Sequence, residues 1–194
     1  MTLTPTEIQS HNALYRRAYS LIRPHIFIGG ESRSARPGWF ARRSLKKGIA
    51  LFQCALGINP NSWQSRFWIA KALQRLGEHQ ESMSWFADAL RLDEANEGIA
   101  KEAGVEALEV GDYKLALAIV RPAAERNPDD AALQHNLGLA LLLCGRVAEA
   151  HQAFNRAAAH HSDSVTSRLV TLTELVLRGE RLCPRRLTDI QQNV

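Results

Sequence analysis

Little in this 194-residue sequence is chemically reactive. It holds three cysteines, Cys54, Cys144 and Cys183, which are odd in number and far apart. That excludes a disulfide framework and points to free thiols in a reducing compartment, with Cys54 and Cys144 buried among apolar helix residues. There is no CxxC, no HExxH, no GxSxG and no glycine-rich loop leading into Lys-Ser/Thr, and Gly29-Gly30 lacks the rest of any dinucleotide fingerprint. No cofactor, no bound metal and no enzymatic activity are therefore expected. His160-His161-Ser162-Asp163 gathers ligand-type residues, but on a turn between helices, where adjacent imidazoles diverge. Long hydrophobic runs are also missing. The longest, Leu139–Cys144, is far shorter than the roughly 20 residues needed to cross a bilayer. Met1–Arg17 is mixed polar, without the apolar core of a signal peptide. The expectation is a cytoplasmic chain with no membrane partner.

What the sequence does have is a period. Gly77, Gly111, Gly145 and Gly179 are spaced by 34 residues. Leu73, Ala107, Leu141 and Leu175 keep the same phase, as do Ser82, Ala116 and Ala150, then Phe86, Val120 and Phe154, then Ala89, Ala123 and Ala157. Around each glycine, apolar residues recur at helical spacing on both sides, as in Ile69, Ala70 and Leu73 before Gly77 and Phe86, Ala89 and Leu90 after it. Each unit thus reads as two helices, with a glycine closing the first. Small residues permit close backbone approach, the aromatic residues fill the space between pairs, and a pair cannot bury its apolar face alone, so neighbours must stack.

Leu137-Gly138, Leu141, Gly145, Ala150, Phe154 and Ala157 resemble the consensus of the tetratricopeptide repeat, and Gly104, Gly111, Tyr113, Ala116, Ala123 and Pro128 match it one repeat earlier. The resemblance spans roughly residues 43–180 and implies an all-α fold, a right-handed α-solenoid of stacked antiparallel helix pairs. Arg66, Ser82 and Glu94 depart from the usual aromatic, alanine and proline, and Pro122 should kink its helix near Ala118. The organisation read from the chain is an N-terminal helix (1–24), an irregular basic loop (25–42), a half-repeat (43–62), three repeats (63–96, 97–130, 131–164) and a C-terminal partial repeat with tail (165–194).

Thr4 or Thr6 can cap the first helix, whose stripe would be Ile8, Leu14, Ala18 and Leu21. A second helix, Arg42 to Gly57, turns Leu45, Ile49, Phe52, Ala55 and Leu56 inward. Glycines and Pro37 spoil the first helix of that unit, so Trp39 and Phe40 are expected to pack down where it would end, and the N-terminal helix is the candidate substitute. Val165–Leu177 is too apolar for an end helix and needs a cover, either the tail, a downstream domain or a second copy in a homodimer through 165–177.

Charge is uneven: +7 over residues 1–62, −5 over 63–164 and +2 over 165–194. In the resembled family the first helix of each repeat lines a groove. Here that implies Phe67, Trp68, Lys71 and Arg75, then Lys101, Glu102, Val105 and Glu109, then His135, Asn136, Leu139 and Leu143. Independently of the resemblance, Glu102, Glu106 and Glu109 share one helix face, which reads either as a solvated face or as a site for a basic peptide. The clamp that grips chaperone C-termini in some relatives is mostly missing. The expected function is a non-catalytic adaptor or scaffold binding a protein or peptide segment, basic or amphipathic in character. Two alternatives stand beside it. One is a regulatory nucleic-acid-binding module using Arg33, Arg36, Arg42, Arg43 and Lys46 beside Trp39 and Phe40, although the blander reading, a solvated helix start, is preferred over a nucleic-acid partner. The other is the recognition domain of a larger enzyme.

Overall fold

The structure, a computed structural model, describes residues 3–26, 36–161 and 163–191. These residues form ten α-helices and one short 3-10 turn, with no strand among them. The chain divides after Ala95 into two compact units.

The first unit contains α1 (Pro5–Ile22), α2 (Trp39–Ile58), α3 (Trp63–Leu76) and α4 (His79–Leu92). Thr4 opens α1 with a reciprocal cap: its hydroxyl accepts the Glu7 amide, and its own amide donates to the Glu7 carboxylate at 2.8 Å. The helix ends where Arg23–His25 tightens into a 3-10 turn containing Pro24. α1 packs along α2, α3 along α2 and α4 along α3. A side chain at Gly48 would lie 2.5 Å from Ile22, so α2 meets α1 at a point where it has none. Ala18, Ile22, Leu45, Phe52 and Ile69 are fully buried in the shared core, and Tyr15 sets its ring edge-on to Phe52, 78° between planes. α1 is thus the partner of α2. Its stripe is shifted from expectation, since His11, Ala18 and Ile22 are buried while Ile8 is 46% exposed.

α2 begins three residues before the expected Arg42, and this moves Trp39 and Phe40 onto a helix. They do not pack down: they are 64% and 81% exposed. The cause is register. One and two turns on from Trp39 come Arg43, then Lys46 and Lys47, all exposed, whereas Leu45, Phe52 and Ala55 face the opposite way.

The second unit contains α5 (Glu97–Glu109), α6 (Tyr113–Arg126), α7 (Ala131–Leu143), α8 (Val147–His160), α9 (Ser164–Leu177) and the short α10 (Leu187–Gln191). Asn96, Asp112, Asp130 and Asp163 cap α5, α6, α7 and α9, each side chain accepting the amide three residues on at 2.8–3.1 Å. α6 continues through Pro122 to Arg126. Within the pairs, backbones approach at glycine: a side chain at Gly104 would sit 2.2 Å from Val120, and one at Gly138 2.5 Å from the Phe154 ring. Gly77, Gly111, Gly145 and Gly179 all have φ between 73° and 84°. The amide just after each glycine donates back to Leu73, Ala107, Leu141 or Leu175 at 2.9 Å, the same closing bond four times over.

Ser82, which departs from the repeat consensus, is fully buried and donates its hydroxyl proton to the Ala70 carbonyl at 3.0 Å. The tail covers part of the apolar end of the second unit. The Cys183 thiol donates to the Leu142 carbonyl at 3.5 Å, the Leu187 amide donates to the Tyr113 hydroxyl at 3.3 Å, and Ile190 is 4% exposed. A cavity of about 920 Å³ remains between the tail and Leu143 and Leu172. Val165 and Leu177 stay about half exposed. The expected burial of Cys54 is not met, because it lies on the outward side of α2, and Cys144 is half-buried at the end of α7.

Candidate functional site

In the first unit the residues singled out from sequence lie on α3 beside α1. Phe67 and Trp68 are half-buried and meet edge to face, ring centres 5.4 Å apart. The Trp68 indole N–H donates to the Tyr15 hydroxyl at 2.9 Å, and Tyr19 stands perpendicular to Trp68 at 4.8 Å. Burial pushes the Tyr15 phenol above its ordinary pKa, partly offset by the Trp68 N–H. The result is a rigid cluster of Tyr15, Tyr19, Phe67 and Trp68, its open side carried by Tyr19, which is 37% exposed. Lys71 is only 4% exposed and its ammonium donates to Gln74 at 2.7 Å. Arg75 donates to the His25 carbonyl at 3.0 Å. Sequence reasoning missed Tyr15 and Tyr19 as part of this face. The available signal was their spacing of four, which puts them on one side of α1.

In the second unit α5 and α7 bring a separate set together. Lys101 is ion-paired with Asp130. Burial raises the Asp130 pKa, but the Lys101 ammonium and the Leu133 and Ala132 amides outweigh it and hold the carboxyl below its usual range. Asn136 is 9% exposed and reaches the Lys101 carbonyl at 3.5 Å. Glu102 and Glu106 are buried, leaving Glu109 as the exposed member of the acidic trio. Leu139 and Val105 are half-buried, and Leu143 is buried. The His135 ring lies 5.9 Å from the Phe154 ring, and its Nδ1 is 3.0 Å from the Thr166 hydroxyl. Because Thr166 gives its proton to Asp163 at 2.7 Å, His135 donates from Nδ1. Burial lowers the His135 pKa, with Asp163 pulling it part of the way back.

The basic set divides. Arg33 falls outside the described residues. Arg36, Arg42, Arg43 and Lys46 are exposed, the last three on the outer side of α2, and the Arg43 guanidinium stands 5.7 Å from the Trp39 ring centre. His160 pairs with Asp129 at 3.3 Å and Asp163 caps α9, while Ser162 lies outside the described residues. Among the described residues no three metal-binding side chains converge, and no helix is long and apolar enough to cross a membrane. The two faces thus hold aromatic, apolar and carboxylate groups suited to contact.

The class defined by this architecture is the all-α fold of helix pairs stacked in series. Profiles of the tetratricopeptide repeat match residues 40–97 and 107–172, together more than half of the chain. The protein belongs to the tetratricopeptide repeat family. No curated protein matches the sequence. Among solved structures, MamA (residues 41 to the end) from Desulfovibrio magneticus RS-1 is similar, with 16% identity, 94% of each chain covered and a TM-score of 0.72. YrrB, described as a tetratricopeptide protein with an unusual peptide-binding site, has 20% identity over 78% of this chain and 80% of its own, with a TM-score of 0.65. A tetratricopeptide repeat protein from Parabacteroides merdae has 18% identity over 89% of this chain and 61% of its own, with a TM-score of 0.71. At these identities the likeness is one of fold.

Proposed function

We propose that this chain is a non-catalytic adaptor of the cytoplasm that binds a segment of another protein on the first-helix faces of its repeats. The observation that carries the reading is the cluster of Tyr19, Phe67 and Trp68. Large aromatic side chains, held still by neighbours and partly open to solvent, are the kind of residue on which binding energy concentrates. In the second unit Val105 and Leu139 are half-buried apolar residues and Glu109 is exposed, a mixture that suits an amphipathic segment. The peptide-binding site named for YrrB agrees with such a role.

The test is affinity purification from the source cell with the wild-type chain and with Trp68→Ala/Glu109→Lys, matched for helicity by circular dichroism. Proteins captured by the wild type and lost by the variant are expected. Equal recovery of the same proteins by both would refute the assignment of these faces.

A further inference from the structure

The outer side of α2 is not explained by an adaptor face on α1, α3, α5 or α7. Its 20 residues include no Asp or Glu. Trp39, Phe40, Arg42, Arg43, Lys46 and Lys47 are all exposed along one side, and beyond them the same side continues with Ala50, Gln53, Cys54 and Gly57, none large enough to hold a flat partner away. Among the described residues, none of these four cations has a carboxylate partner. The start of α2 is also bare: Gly38 supplies no side-chain cap and the first turn has no acidic residue, so its free amides and helix dipole add to the positive field. Two aromatic rings exposed to this degree gain nothing from water.

We infer that this side of α2 docks the protein peripherally on an anionic lipid bilayer, Trp39 and Phe40 entering the interface while Arg42, Arg43, Lys46 and Lys47 meet lipid phosphates and carboxylates. Aromatic rings settle at the level of the headgroups, and basic side chains gather at negatively charged leaflets. The competing anion is a single-stranded nucleic acid, which needs open ring faces for successive bases. Here the rings of Trp39 and Phe40 cross at 81° with centres 4.8 Å apart, and Arg43 stands over Trp39. That arrangement is a compact apolar knob rather than a stacking ladder. A bilayer interface accepts such a knob without a shaped pocket. The docking is peripheral, since no helix among the described residues can cross the bilayer.

The test uses the full chain with vesicles of phosphatidylcholine alone, with vesicles containing about 30 mol % phosphatidylserine, and with an oligothymidine strand as the nucleic-acid probe. Expected results are sedimentation with the anionic vesicles only, weakening with added salt, and a blue shift of tryptophan emission that Trp39→Phe removes. Lys46→Glu/Lys47→Glu and Trp39→Ala/Phe40→Ala should each reduce vesicle affinity by about tenfold or more. All four positions are exposed, so far-ultraviolet circular dichroism should match the wild type. Failure to bind anionic vesicles, equal binding by both double variants, or tighter binding to the oligonucleotide than to vesicles would each overturn the inference.

Discussion

Replacing Gly138 with alanine tests a close helix–helix contact in the second unit. The new methyl carbon would stand 2.5, 2.6 and 2.9 Å from three atoms of the Phe154 ring. That ring is fully buried, as are Ala150, Ala153 and Ala157 on the same helix, so it has no open side to move into. Forcing a methyl into a packed core costs about 1–3 kcal/mol, and three ring atoms inside contact distance place this site near the upper end. Alanine returns about 1 kcal/mol because it favours helix over glycine. The net loss is about 2 kcal/mol, or roughly thirtyfold in the folding equilibrium. The decisive comparison is a cycle with Phe154→Leu. Leucine vacates the space where the methyl would sit, so Gly138→Ala in that background should be neutral or mildly stabilising, giving a coupling of about 2–3 kcal/mol. Urea unfolding followed by circular dichroism at 222 nm reads all four corners. If Gly138→Ala is as stable as the wild type, or if the two changes simply add, the packing argument is wrong.

Three further outcomes follow from the second unit and from α2. Because burial holds His135 below its ordinary pKa of 6.5, the unfolded chain binds the extra proton first. Stability should therefore be full above 6.5 and fall as pH drops below it; comparing urea midpoints near pH 8 and pH 5.5, His135→Gln should flatten that fall, and an unchanged slope would contradict it. Asp130 and Asp163 are held below 3.8, so their contribution persists above that value and is lost only at more acid pH. Titration of the native protein with a thiol-reactive disulfide should give one fast thiol, the exposed Cys54, ahead of half-buried Cys144 and of Cys183, whose thiol is pushed up by burial despite Arg185. A fast Cys183 would show that the tail does not hold to Leu142.

The repeat was legible because it rests on backbone requirements that a sequence displays directly. A left-handed residue at each helix end selects glycine, so Gly77, Gly111, Gly145 and Gly179 declare the turns. Close approach selects Gly104 and Gly138 for the same kind of reason. The orientation of Trp39 and Phe40 follows register rather than aromatic character, since Arg43, Lys46 and Lys47 mark their side of α2 as solvent-facing. The candidate faces were legible in membership but not in pairing. Trp68 finds Tyr15 across 53 residues and Lys101 finds Asp130 across 29, and no local pattern announces either bond. Likewise the helix period put Glu102, Glu106 and Glu109 on one side, but it does not announce that Glu102 and Glu106 are buried while Glu109 stays in water.

The closing bond at the end of each first helix takes only an amide from the residue that follows the glycine. Those residues are Glu78, Asp112, Arg146 and Glu180, two signs of charge among four exposed positions. The closing bond itself therefore leaves chemical identity open, with proline barred for want of a hydrogen to give, although Asp112 is also held as the cap of α6. Glu78 in particular, which neither caps its helix nor lines the tail cavity, is where a spectroscopic label or a tether can be attached with the architecture left intact.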